Sequence, residues 1–186
     1  MSSSGKKERV LTSWIGGNVL VSLKGDTYIK NISGPIVSVL NTHILDSIEL
    51  LYNYLKERVA PCIEWLSKLT NANIRANHIS LSSPIDFGNI YAHANRHLNK
   101  LFTQPNRLSI LLSLGTHAMQ AVWILLGKTR FPCIFLQSPL EQCVQEVDIP
   151  FKLSAEYLPA ASKINTGQRE KQDTTIVRYL VKPAVN

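Results

Sequence analysis

The residues best suited to chemistry lie between Leu108 and Gln120. An apolar run ends at Ser113, a small turn of Leu114, Gly115 and Thr116 follows, and an apolar helical pattern begins at His117. A strand, a glycine turn and a helix start in so short a stretch leave backbone N–H groups and a hydroxyl pointing outward. A helix N-terminus of this kind is a ready anion site, and open α/β sheets bind ligands at the carboxyl ends of their strands. Gly115 lets a ligand approach the backbone closely. Thr116 can cap the helix or bond a phosphate oxygen, and Ser113 flanks it. His117 can reach an anion from the first turn or simply face solvent. The chemistry expected is recognition of a phosphate, although neither a P-loop nor a G-x-G-x-x-G fingerprint is present.

Two other segments could join that turn. Ile15, Gly16, Gly17 and Asn18 follow the first predicted strand, whose end should sit beside the Ser113 turn in a doubly wound sheet. Asn18 could read a base or ribose there, or the segment is a plain turn. Trp14 is either core or a stacking platform. Ser82 and Ser83 precede a helix start, with Ser83 read as N-cap, Pro84 inside the first turn and Asp86 as a first-turn acid. The same serines could meet an anion. For catalysis the pattern offers little. His93 and His97 are spaced i, i+4 but lack the acid of a metalloprotease helix, and both are assigned to a polar face. There is no Gly-x-Ser-x-Gly elbow. Catalytic residues are therefore unassigned, and no metal or cofactor is expected.

The elements that must position these residues alternate. Strands are predicted over 9–15, 46–52, 72–81, 108–112 and 132–137, with a sixth, antiparallel one over 144–149. A helix covers 34–41, with Pro35 at its first position. Another ends near Leu69 and starts near Val59, because Pro61 fits a first turn best; Val59, Cys62, Ile63, Leu66 and Leu69 share its apolar face. A third carries Phe87, Ile90, Tyr91, Ala94, Leu98 and Leu101 at helical spacing. The helix 117–128 is apolar nearly all round. The fold class is therefore α/β: Rossmann-like, a mostly parallel sheet with helices on both faces and an antiparallel edge strand. We assign 1–7 to a disordered leader, 8–159 to the domain, and 160–186 to a polar tail with a strand over 174–182.

Composition narrows the partners. The 186 residues carry 20 Lys and Arg against 13 Asp and Glu, a net charge of +7. The basic balance favours a nucleotide, RNA or DNA over a cationic partner, but no basic tract supplies a phosphate groove. No apolar run approaches the ~18 residues of a membrane span, and the start has no secretory h-region. Three cysteines without Cys-x-x-Cys spacing suit a reduced, cytoplasmic protein.

Four blocks carry a resemblance. Ser13-Trp-Ile-Gly16, Leu81-Ser-Ser-Pro-Ile-Asp-Phe-Gly-Asn-Ile-Tyr91, the run 112–130 around Ser113-Leu-Gly-Thr-His117, and the run 137–151 occur in that order. They resemble the N-terminal sensory domain of sigma-54-dependent regulators of the RNA terminal-phosphate cyclase operon. That domain belongs to the CARF (CRISPR-associated Rossmann fold) superfamily. The resemblance implies a homodimer with a ligand in the groove across it, at the ends of the first and fourth strands. It implies cyclic oligoadenylate or RNA ends as ligand, and an effector or transcription-regulator partner. Carried over by motif, Ile15, Gly16, Gly17 and Asn18 match one loop, and Ser113, Gly115, Thr116 and His117 the other. Leu114 stands where a proline is expected, and Val19 where an acid is expected. The regulators continue into an ATPase and a DNA-binding domain, whereas this chain stops at Asn186, as a stand-alone sensor, an excised domain or a truncated relative would. Surplus apolar residues on the helix 117–128, Trp123 included, also point to a homodimer. The leading reading is a ligand sensor. The alternatives are a metal-independent ring nuclease and a ligand-free interaction module.

Overall fold

The alternating apolar runs become the strands and helices of one sheet structure. A computed structural model describes residues 7–17, 34–103, 106–139 and 143–150. Its elements are β1 (Glu8–Trp14), α1 (Pro35–Thr42), β2 (Ser47–Tyr52), α2 (Lys56–Ser67), β3 (Asn73–His78), α3 (Phe87–Phe102), β4 (Asn106–Leu111), α4 (His117–Thr129), β5 (Ile134–Gln137) and β6 (Gln145–Glu146). The sheet order is β3-β2-β1-β4-β5-β6. The first five strands run parallel, and β6 pairs antiparallel with β5. The Rossmann-like class and its antiparallel edge are as the sequence predicts, with β6 shorter than expected. The leader through Lys6 and everything from Phe151, including the predicted strand 174–182, lie outside the described residues, as do Asn18 and Val19.

Strand alternation divides the core. Val10 and Trp14 of β1 face α3 and α4, where Ile90, Leu98, Val122, Trp123 and Leu126 complete one apolar layer. Leu11 and Ile15 face the other way, into a layer with Ile36 and Val39 of α1 and Val59, Cys62 and Leu66 of α2. Side chains of a strand point to opposite faces at every step, so a central strand buried on both sides reads as a continuous apolar run. Burial holds the Cys62 thiol up at about 11 and the Cys133 thiol at about 12, so neither is a thiolate at neutral pH.

Several local expectations are corrected. α2 begins at Lys56, one turn earlier than Pro61 suggests, and Pro61 sits inside it. Proline removes the bond to the carbonyl four residues back, which is that of Glu57; both residues lie on the exposed side, where water can take that carbonyl. Leu69 falls beyond the end of α2 and is exposed, as is Phe87 at the start of α3. The N-cap of α3 is Asp86, whose carboxylate accepts from Asn89 N at 3.1 Å; Ser83 lies in the turn before it. Trp14 is core, and Trp123 is fully buried within the chain, so it offers no dimer surface.

His97 departs most from expectation. It belongs to the buried stripe of α3 with Ile90, Ala94 and Leu98, not to a polar face. Thr12 Oγ1 donates its one proton to Glu49 O at 2.9 Å and lies 3.0 Å from His97 Nε2. A hydroxyl has a single donor, so Nε2–H must donate to Thr12, which fixes the tautomer. The ring stacks obliquely against Trp123, which in turn meets Trp14 at 5.8 Å between centroids. Burial, aided by the nearby Lys100 charge, lowers the His97 pKa to about 4.

Candidate functional site

The carboxyl ends of β1 and β4 are adjacent, at the point where the strand order reverses. α1, the next described element after β1, packs on one face of the sheet and α4, the next after β4, on the other, the arrangement that opens a crevice in such sheets. A cleft of about 320 Å³ lies there. Trp14, Ile15, Gly16 and Gly17 form one lip and Ser113, Leu114, Gly115 and Thr116 the other. Asn53 and Tyr54 from the end of β2, Pro84 from the loop before α3, and Met119 close the sides. Six of the expected residues thus meet in one place: Ile15, Gly16, Gly17, Ser113, Gly115 and Thr116. His117 is exposed and does not line the cleft. Ser82 and Ser83 also lie off its wall; Ser82 Oγ donates to Asp86 Oδ2 and Ser83 Oγ accepts from Ile85 N, while their neighbour Pro84 supplies the contact.

The lips are held by specific bonds. Ser13 Oγ donates to Leu111 O at 3.1 Å and Ile15 N to Leu51 O at 2.8 Å, fixing the end of β1 between its neighbours. Gly115 adopts φ +91°, a conformation open to glycine and strained for other residues. A Cβ on Gly16 would stand 3.3 Å from Gly115 N, so the two glycine turns nearly touch. Thr116 takes the capping role, one of the two open to it from the sequence: its Oγ1 accepts from Met119 N at 3.3 Å and donates to Pro84 O at 2.6 Å. The hydroxyl proton is therefore already committed to the loop before α3. The N–H groups of His117 and Ala118, in the first helical turn, have no intrahelical acceptor.

The lining carries no charged side chain among the described residues. An anion here would be held by backbone N–H groups and the positive end of α4. The Arg58 guanidinium lies over the ring of Tyr54, 5.6 Å from its centroid, which brings a cation behind one wall. Asn53, Tyr54 and Met119 were not singled out in the sequence, and Pro84 was read only as part of a helix start. Tyr54 and Asn53 could have been found from their position just past a strand end, the rule that located the other two lips. Among the described residues no group of His, Cys, Asp or Glu is placed to hold a metal ion, and no helix is long and apolar enough to cross a membrane.

Thr116→Ala should be informative because the side chain makes both bonds. Loss of a cap and a loop tie is expected to lower stability by about 1–2 kcal/mol. For a chain of this size the melting temperature would fall by roughly 3–6 °C, while Thr116→Ser would retain most of it. Identical melting curves for wild type and both variants would show that Thr116 does not tie the cleft together.

A family model described as "Regulator of RNA terminal phosphate cyclase", RtcR, matches residues 15–175. The chain belongs to this family. The resemblance drawn from the four sequence blocks is thus borne out, and the matched region contains every expected site residue. Among the solved structures that share the fold of this RtcR-family chain are two that bear on its site. One is Enterococcus italicus Csm6 bound to cyclic hexa-2'-fluoro-hexa-dAMP, with a TM-score of 0.58, 15% identity, and coverage of 74% of this chain and 35% of that one. The other is a type III CRISPR defence DNA nuclease activated by cyclic oligoadenylate, with a TM-score of 0.51, 10% identity, and coverage of 76% of this chain and 20% of that one. The RtcR-family chain therefore spans about a third and a fifth of the lengths of these proteins. No curated protein matches it.

Proposed function

We propose that this chain is a sensory domain that binds a cyclic oligoadenylate or an RNA-derived nucleotide in the β1–β4 cleft, across a homodimer, and passes the bound state to an effector or transcription regulator. The observation that carries this reading is the cleft itself, where two glycine turns and the N-terminus of α4 meet at the reversal point of the sheet. That geometry suits a phosphate approaching close to the backbone. Its volume lies at the lower end of ligand pockets, roughly 300–1,000 Å³. It has room for about one nucleotide, so a ring of several needs a second cleft from a two-fold mate. Leu55 and Ile85, next in sequence to the wall residues Tyr54 and Pro84, are exposed and offer apolar surface for such a mate. Similarity to proteins named for cyclic oligoadenylate supports that ligand class, and membership of the regulator family supports RNA ends.

The same geometry weighs against a ring nuclease. Thr116 has its proton engaged, His117 stands off the cleft, and Lys128 donates to Ile149 O at the far end of α4. Binding without turnover is the expected behaviour. The deciding experiment is calorimetric titration with cyclic tetra- and hexa-adenylate and with RNA trinucleotides ending in a 2',3'-cyclic phosphate, alongside light scattering. At least one ligand should bind to a dimer with a dissociation constant of about 10 µM or tighter. No heat from any of them at ~100 µM would leave the interaction module as the better reading. Cleavage of the ring over many turnovers in EDTA would make the protein an enzyme.

A further inference from the structure

Ser113 stands between two cavities. On one side is the cleft just described. On the other a second cavity of about 530 Å³ opens between α4, the end of β5 and the β6 segment. Its inner wall is apolar, with Leu112 and Ile149 buried and Ile124 and Val147 partly so. At its margin are Gln120, from the second turn of α4, and Gln137, the last residue of β5. Neither amide has a hydrogen-bond partner among the described residues. Ser113 Oγ accepts from Ser138 N at 2.7 Å, which ties the ends of β4 and β5, and its own proton has no acceptor among the described residues.

The two cavities differ in chemistry. The cleft offers glycine backbone and a helix N-terminus, which suit charge. The second offers an apolar wall and two unengaged amides, without a charged lining residue among the described residues. It suits a flat, neutral group with apolar faces and a polar edge. A nucleotide contains both kinds of group, joined by a ribose that a partition hydroxyl could meet. Resting on the reading of the cleft as a phosphate site, we propose that the second cavity is a nucleobase subsite for the same ligand and that Gln120 and Gln137 read the base. The base we assign is adenine, the base of the cyclic oligoadenylate proposed for the cleft. A carboxamide presents a donor beside an acceptor, which matches the N7 acceptor and N6 amino donor of adenine in a bidentate pair.

The test uses Gln120→Glu and Gln137→Glu, which keep size and shape. Each replaces the amide donor with an acceptor and sets a carboxylate against a ring nitrogen that also accepts. A carboxylate instead complements the N1–H and N2–H donors of guanine. The probes are RNA trinucleotides AAA and GGG, each ending in a 2',3'-cyclic phosphate, with CCC and UUU as further arms and cyclic tetra-adenylate as the ring form. Wild type should prefer the adenine probes by about tenfold or more, the scale of one bidentate pair. Each Glu variant should keep its melting temperature, lose about tenfold for AAA and narrow or reverse the gap to GGG. Wild-type binding of AAA with affinity unchanged in both Glu variants would overturn the subsite and leave the cleft reading intact. Equal affinity for all four trinucleotides would overturn adenine selection. No probe binding to wild type would overturn the subsite and the cleft reading together.

Discussion

Gly115→Ala should lower the stability of the domain by about 3 kcal/mol. Two effects add. A non-glycine residue held at left-handed φ loses roughly 1–2 kcal/mol, and Gly115 sits at φ +91°. The new Cβ would also lie 3.0 Å from Met119 Sδ and 3.1 Å from Trp14 Cβ. The thioether can swing away, but Trp14 is 1% exposed and wedged against Trp123. The turn must therefore move, and overpacking of this kind costs about 1–3 kcal/mol. Thermal denaturation followed by circular dichroism should show a fall of roughly 6–12 °C. A fall under ~2 °C would mean the turn relaxes freely, at well under 1 kcal/mol. Because Gly16 abuts Gly115 N, the same shift should deform the cleft and weaken ligand binding even where the fold survives.

Acid should destabilise the protein through His97. Its folded pKa is about 4, against an ordinary 6.5, chiefly because burial disfavours the charged ring. The sign follows from proton counting. Between about pH 6.5 and 4 the unfolded chain binds the proton and the folded chain does not, so stability falls as pH falls through that window. Above it, both states are neutral at this site and no loss arises. The whole window is worth about 3 kcal/mol. His97→Gln keeps a donor for Thr12 Oγ1 and removes the titration. Chemical denaturation at a series of pH values should give a slope in wild type that is much reduced in the variant. Parallel profiles for the two proteins would show that His97 is not the group responsible.

The strand-turn-helix at the fourth strand was legible because three independent signals coincide there. An apolar run stops, a glycine follows, and a threonine stands where a cap belongs. The opposite lip followed from sheet logic once Gly16 and Gly17 were seen at the end of β1. What was missed had a competing local signal. Ser83-Pro84 mimics an N-cap and first helical residue, yet Asp86 is equally able to cap and lies where the apolar stripe begins. Pro61 looks like a helix start, but on an exposed face its lost hydrogen bond is hydrated and the helix runs through it. His97 was read by residue type. Its position, three after Ala94 and one before Leu98, places it on the buried stripe, and only tertiary structure reveals Thr12 as its partner. Trp123 was taken as surplus because its counterpart, Trp14, is over a hundred residues away in sequence.

The bond from Ser13 to the carbonyl of Leu111 closes a loop of 98 residues. β1 is made first but rests between β2 and β4, so its second neighbour is a late arrival. Closing so long a loop loses chain entropy before any contact rewards it, and non-local parallel pairing is slow. The two lips of the cleft therefore meet only once this long-range pairing has formed. A chain released or cleaved before β4 has one lip of the cleft and none of the residues that line the second cavity. On the proposed reading, a copy that lacks β4 cannot bind the ligand.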